Sequence, residues 1–272
     1  MRLLPLALFA AATLLAQGQA RFHHIHLNSV DPESAIDFYA AKFKAERLVL
    51  AGFGNAVWTG DSWLLFTKVA AAPPSETVSG IWHFGWGAED MKATYQKQID
   101  SGTRFHTPLT DISDLVGGEE NSGRFFYSYV DGPDHALIEL NTARHHNFGH
   151  LHLYSANPIG AAEWYKANLN LKPRVQTESK TYRGIPVAPA AFITANHVSI
   201  IVYPNPAKLQ PSRGRVVDHI GFAVKNLDDT VKLARAKGTK VTAEPAFRNG
   251  LRSALVEGPD QVAIELLELP EE

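Results

Sequence analysis

From His24 to Leu27 polar and apolar residues alternate, the two-residue period of a strand with one buried face. The period then changes: Ile36, Tyr39, Ala40 and Phe43 fall at i, i+3, i+4 and i+7, one apolar stripe on a short helix. Asp31 is placed to cap that helix, with Pro32 at its first position. Three short runs follow, Arg47–Leu50, Ala56–Thr59 and Trp63–Thr67, whose β-branched and aromatic content between turn residues predicts strands. The plan is βαβββ. It recurs from His-bearing strands that start near Phe22, Ile81, Phe148 and Val216. In the second unit Gly102 follows the helix, and Phe125–Val130 and Ala136–Leu140 read as strands. In the fourth, Asp228 is expected to cap a helix with Leu227, Val231 and Ala234 on one side and Gly238 just past its end.

The four units also form a twofold repeat. Phe22-His23-His24-Ile25-His26-Leu27 matches Phe148-Gly149-His150-Leu151-His152-Leu153 at an offset of 126, and Gly132-Pro133-Asp134 with Ile138-Glu139-Leu140 matches Gly258-Pro259-Asp260 with Ile264-Glu265-Leu266 at the same offset. Between these anchors Trp82-His83-Phe84-Gly85-Trp86 matches Asp218-His219-Ile220-Gly221-Phe222 at an offset of 136. Two length changes account for the difference, around Asp114–Asn121 and around Glu178–Pro189, and both read as loops. The polar stretch Asn141–Asn147 is the expected boundary between halves, and its His145-His146 pair reads as solvated linker.

With 26 basic and 28 acidic residues in 272, the chain carries no electrostatic footprint for nucleic acid or an anionic membrane, so a small-molecule partner is expected. Arg2, the apolar run Leu3–Leu15 and the small residues Gly18 and Ala20 read as a signal peptide cleaved after Ala20, with an uncleaved anchor as the alternative. That implies a periplasmic or secreted protein, without membrane attachment after cleavage. The chain has no cysteine, which excludes disulfides and thiolate chemistry, so any metal must be held by histidine and oxygen ligands.

The His-bearing strand leading into the Asp-Pro helix with Ile36-Asp37-Phe38-Tyr39, the second His-bearing strand, and the Gly-Pro-Asp turn before Ile-Glu-Leu together resemble the vicinal oxygen chelate superfamily. That superfamily includes glyoxalase I, extradiol dioxygenases, fosfomycin and bleomycin resistance proteins. The resemblance implies an α+β fold of four βαβββ modules paired into two cupped, barrel-like mixed sheets. It sets domains at residues 21–141 (modules 1 and 2) and 148–269 (modules 3 and 4) behind the 1–20 signal peptide.

Carried over position by position, the resemblance implies metal ligands His24, His83 and Glu139 in the first half and His150, His219 and Glu265 in the second. Two histidines and a carboxylate suit a first-row divalent ion and leave coordination positions for substrate: Fe(II) or Mn(II), with Zn(II) or Ni(II) as further choices. The superfamily's fourth ligand position falls within Trp63–Phe66 and Ser199–Val202, where no ligand exists, unlike four-ligand glyoxalase I. His26 and His152 share a face with His24 and His150, as proton carriers or, with the register shifted by two, as the ligands themselves. Tyr129 resembles the dioxygenase tyrosine that bonds a catecholate oxygen; the upstream histidine of that signature is missing from Asn121–Phe126, and the second half has Leu255 in place of the tyrosine. Trp58, Trp82 and Trp86 are pocket-lining or core residues, and Arg124 and Arg252 either clamp an anion or are solvated.

The resemblance therefore implies a metal-dependent, dioxygenase-like enzyme whose small substrate chelates the metal through adjacent oxygens. The alternatives are a glyoxalase-like lyase or isomerase, with His26 or Glu139 moving the proton, and a non-enzymatic binding protein of the bleomycin-resistance type. Four modules in one chain permit a monomer or a homodimer.

Overall fold

The computed structural model describes residues 18–74, 79–116 and 123–269. Residues 1–17, which hold the charged and apolar parts of the expected signal peptide, lie outside the described residues, as do 117–122 of the first length change. Ala20 is buried, and its N–H donates to the carbonyl of Leu169 at 3.0 Å.

Each module follows the expected plan. Module 1 is β1 (Arg21–Ser29), α1 (Pro32–Lys42), β2 (Glu46–Leu50), β3 (Gly54–Trp58) and β4 (Trp63–Lys68). Module 2 is β5 (Ile81–Ala88), α2 (Met91–Asp100), β6 (Phe105–Asp111), the one-turn α3 (Ser113–Val116), β7 (Phe126–Asp131) and β8 (Leu137–Thr142). Module 3 is β9 (Phe148–Ser155), α4 (Pro158–Leu169), β10 (Arg174–Tyr182), β11 (Ile185–Ala195) and β12 (Val198–Pro204). Module 4 is β13 (Val217–Val224), α5 (Leu227–Ala236), β14 (Val241–Arg248), β15 (Leu251–Glu257) and β16 (Ala263–Glu268).

The helix starts follow side-chain capping of free N–H groups: Asp31 accepts from Ser34 and Asn157 from Gly160. In module 4 the cap is Asn226, which accepts from the Asp229 N–H, and Asp228 lies in the first turn instead. Asparagine caps as well as aspartate and starts the helix two residues earlier, which brings Leu227 onto the buried side. The stretch Glu178–Pro189, expected as a loop, is an extension of the β10–β11 hairpin, with Arg183 and Gly184 at positive φ in its turn. Its exposed polar residues hide the strand because β10 buries neither face.

Among the described residues sixteen strands form two mixed sheets, ordered β14-β15-β16-β13-β1-β4-β3-β2 and β10-β11-β12-β9-β5-β8-β7-β6. The first sheet joins modules 1 and 4, the outer cup. The second joins modules 2 and 3, the inner cup. β1 runs antiparallel to β13, with Ile25 opposite Ile220, and β5 antiparallel to β9, with Phe84 opposite Leu151. Pairing thus crosses the boundary between halves, and neither half keeps a sheet to itself. Contacts within a half include the Gly-Pro-Asp turns, where Asp134 accepts from the Val30 N–H and Asp260 from the Ala156 N–H, both at 3.1 Å. Ile25, Phe84, Leu151 and Ile220 are fully buried in one core cluster that draws on both sheets.

Candidate metal centres

In the outer cup β1 contributes His24 and His26, β13 contributes His219, and β16 contributes Glu265, all buried. Alternation sets His24 and His26 on one face, and the antiparallel register brings His26 opposite His219 with their rings stacked at 4.4 Å. Glu265 pairs with Gly221, two residues beyond His219. A side chain at Gly221 would overlap the imidazole of His24, so glycine is what lets that ring lie across the neighbouring strand. Glu265 Oε2 is 3.4 Å from both His24 Nε2 and His219 Nε2.

The inner cup repeats the arrangement with His150 and His152 on β9, His83 on β5 and Glu139 on β8. His83 lies opposite His152, and Glu139 pairs with Gly85, where a Cβ would run into the His150 ring. His83 Nε2 donates to Glu139 Oε2 at 2.7 Å, and Asn141 Nδ2 donates to Oε1 at 2.9 Å. His150 Nε2 is 3.8 Å and His152 Nδ1 3.9 Å from the same carboxylate.

The grouping expected within each half is therefore corrected. His24 does not meet His83 and Glu139, and His150 does not meet His219 and Glu265. The inner cluster takes His83, Glu139 and His150, and the outer takes His24, His219 and Glu265, because first strands pair between modules 1 and 4 and between 2 and 3. His26 and His152 join these clusters. One ligand atom each from His24, His26 and His219 lies within 4.8 Å of the others, and the same holds for His83, Glu139, His150 and His152. The strand neighbours of His26 and His152 on β4 and β12 are Leu65 and Ile201, so the fourth ligand position of the sheet carries no donor.

Among the described residues five buried ring nitrogens face these clusters without a hydrogen-bond partner: His24 Nε2, His26 Nδ1 and His219 Nε2 in the outer cup, His150 Nε2 and His152 Nδ1 in the inner. An unpaired buried polar atom costs about 1–3 kcal/mol, so converging sets of them beside a carboxylate fit a bound cation. Imidazole and carboxylate are suitable donors for a first-row divalent ion.

Burial keeps most of these rings neutral, the form that can ligate. It lowers His83 to about 3 and His150 to about 4, and pushes His24, His26 and His152 down as well. His219 is the exception. Burial acts to lower it, but the hydrogen bond to Asp218 and the nearby Glu265 carboxylate outweigh that and hold it above the ordinary value. Asp218 falls to about 2, because the His219 contact and the Gly214 N–H overcome its desolvation.

The surroundings of the two clusters differ. Tyr129 is the cross-strand partner of Glu139, with its ring 4.9 Å from His83, and burial raises its phenol far above the ordinary value. Leu255 is the corresponding partner of Glu265. Trp82 stacks on Tyr154 at 4.5 Å and lies 6.1 Å from the Tyr129, Tyr203 and His152 rings, forming an aromatic wall on the inner cup. Trp86 is core, stacked on Phe43, while Trp58 lies against Trp63, the strand neighbour of His24. Arg124 pairs with Asp111, and Arg252 with Asp228 and Glu268, so neither arginine clamps an anion at a cluster. Tyr154, Tyr203, His23, Thr67 and Asp218 escaped the sequence reading; comparing repeat-related positions for differences, as well as matches, would have found them.

Paired βαβββ modules holding His/Glu clusters define the class of protein. The chain belongs to the Glyoxalase/Bleomycin resistance protein/Dioxygenase superfamily, whose profile matches residues 21–140 and again 147–266. Glyoxalase I from Zea mays superposes with a TM-score of 0.71 at 13% identity, covering 92% of each chain. A provisionally assigned dioxygenase from Bacillus subtilis subsp. subtilis str. 168 reaches 0.62 at 14% identity, over 94% of this chain and 87% of its own. The cppA protein of Streptococcus pneumoniae TIGR4 reaches 0.52 at 10% identity, over 93% of this chain and 100% of its own. No curated protein matches the sequence.

Proposed function

We propose that this protein is an exported, metal-dependent, dioxygenase-like enzyme whose inner cup receives a small planar substrate bearing two adjacent oxygens. The observation that carries the reading is the set of unpaired nitrogens of His150 and His152 beside Glu139, under an aromatic wall that includes Tyr129. His83, Glu139 and His150, with His152, would hold the ion; His24, His219 and Glu265, with His26, would do so in the outer cup. A bound divalent ion, Fe(II) or Mn(II) by preference, supplies Lewis-acid activation of the chelating oxygens.

The chain's own residues do the remainder. Tyr129 stays protonated, since burial raises its pKa, and donates to an anionic substrate oxygen. Trp82, Tyr154 and Tyr203 pack against the substrate ring and exclude water; burial pushes the Tyr203 phenol up to about 12, so it too remains a neutral donor. Where His83, Glu139 and His150 alone hold the ion, His152 is neutral and offers Nδ1 as a proton acceptor. Export rests on the leader pattern of residues 2–20. Both clusters are complete within one chain, so a monomer suffices.

Metal analysis of the purified protein comes first, then anaerobic Fe(II) loading and oxygen uptake over a panel of catechols. Catechol turnover lowered by about 10–100-fold in Tyr129→Phe is expected; a fully loaded protein that turns over no catechol sinks the ring-cleavage reading. A lyase or isomerase is the second reading, favoured by His26, whose Nε2 is fixed on Thr67 while Nδ1 faces the cluster. Methylglyoxal hemithioacetal tests it.

A further inference from the structure

Each histidine of the outer cluster has one ring nitrogen facing the cluster and the other tied to an outer partner. His219 Nδ1 meets Asp218 Oδ1 at 2.7 Å, His26 Nε2 meets Thr67 Oγ1 at 2.7 Å, and His24 Nδ1 meets His23 Nδ1 at 2.9 Å. All three partners can accept, so each ring can carry its proton on the outer nitrogen and leave a lone pair on the inner one. Asp218 is itself fixed: Asn28 Nδ2 donates to it at 3.2 Å, the Gly214 N–H at 2.8 Å, and Arg213 pairs with it at 2.8 Å.

The repeat allows an internal comparison. At the offsets of 126 and 136, His23, Thr67 and Asp218 correspond to Gly149, Tyr203 and Trp82. Glycine and tryptophan offer no side-chain acceptor, and Tyr203 packs its ring on His152 at 5.3 Å. Among the described residues the outer nitrogen of His83, Nδ1, has no hydrogen-bond partner, where its counterpart on His219 has a carboxylate.

We propose that His23, Thr67 and Asp218 are positioning residues that fix the tautomers of His24, His26 and His219 and make the outer cup the tighter metal site of an unequal pair. The two triads are alike in composition, so the difference lies in what stands behind them. An outer carboxylate or hydroxyl orients the ring and raises its basicity, an effect worth about 10–100-fold in metal affinity. The outer cup thus binds its ion without help, whereas the inner cup, lacking these partners, binds it more weakly. This inference rests on the metal-binding reading above.

The test is titration of the metal-free full chain with Co(II), followed by its ligand-field absorption and by chelator competition. Two classes of site are expected, the first about 10–100-fold tighter. Asp218→Asn and Thr67→Val, both close to isosteric, should each weaken the first class by about 10–100-fold and shift its spectrum, leaving the second class alone. Glu139→Gln should remove only the second class. Histidine 15N resonances of the metal-free protein, recorded in alkaline buffer where His219 too is neutral, report the tautomers, which a merely structural role would not set: His219 should be a single Nδ1–H form that becomes mixed in Asp218→Asn, and unchanged melting of the variants confirms folding. Equal affinities, loss of the tight class in Glu139→Gln, or an unaltered tight class in both outer-partner variants overturns the inference while metal binding stands. Binding at neither cup overturns the metal reading itself.

Discussion

The outer and inner cups carry the same ligand types at matching strand positions and differ in nearly everything that touches them. Behind the outer histidines stand Asp218, Thr67 and His23; beside the inner ones stand Trp82, Tyr203, Tyr154 and Tyr129. Trp58 and Trp63 pack together on the outer sheet, whereas the corresponding pair on β11 and β12 is Thr194 and Ser199. The rims differ too. Gly52 packs against the Asn249 backbone with no room for a Cβ, whereas the inner rim is joined by polar contacts, Tyr182 Oη to Asp114 at 2.6 Å and Arg183 to the Asp111 carbonyl at 3.1 Å. Both length changes that break the repeat therefore belong to the inner cup and meet each other. Duplication preserved the ligands while the neighbours diverged, which separates what metal binding requires from what a substrate requires.

The largest effect should follow loss of a carboxylate. Glu139→Ala and Glu265→Ala should each remove one cup's metal, by more than the roughly 10–100-fold that an outer partner contributes, and leave the other cup loaded. Metal content per chain checks this, and if either variant emptied both cups the independence of the clusters would be wrong. Next come the glycines under the rings. Gly221→Ala should displace His24 and Gly85→Ala should displace His150, each costing about 1–3 kcal/mol of stability in denaturant titration together with that cup's metal.

Tyr129→Phe should leave metal content intact and lower catechol turnover by about 10–100-fold, the worth of a hydrogen bond of roughly 1.5–3 kcal/mol to a charged oxygen. Leu255→Ala, at the matching position, should not affect it.

Acid sharpens the comparison further. His83, His150, His24 and His26 have folded pKa values below the unfolded 6.5, so the unfolded chain binds protons that the folded one refuses. Their contribution is fully present above pH 6.5 and is lost as pH falls toward about 3 to 4, the values of His83 and His150. His219 acts in the opposite sense: its raised pKa stabilises below the unfolded value and is lost as pH rises through the folded one. Hydrogen exchange of the metal-free protein at pH 7 and pH 5 should show both sheets losing protection, the inner sheet more; equal losses would remove His219 as a distinguishing feature. The smallest effect is at the rim, where Arg183→Ala in an exposed contact should change stability by less than about 1 kcal/mol.

The sequence determined the modules, the helices and the ligand types, because each rests on local regularities: the two-residue period around His24, the stripe from Ile36 to Phe43, a capping Asp31 before Pro32, and the same residues repeated 126 positions on. It could not determine which modules share a sheet. β1 pairs equally well with any first strand of its own pattern, and alternation specifies a face without specifying a partner. Tertiary structure made that choice, placing β1 on β13 and β5 on β9, and so brought His24 to Glu265 and His150 to Glu139 from opposite halves of the chain. Ligand chemistry is a property of single residues and survives in the sequence. Asp218 before His219 and Trp82 before His83 are likewise written in the chain, whereas which cluster a ligand joins depends on long-range packing that no local pattern encodes.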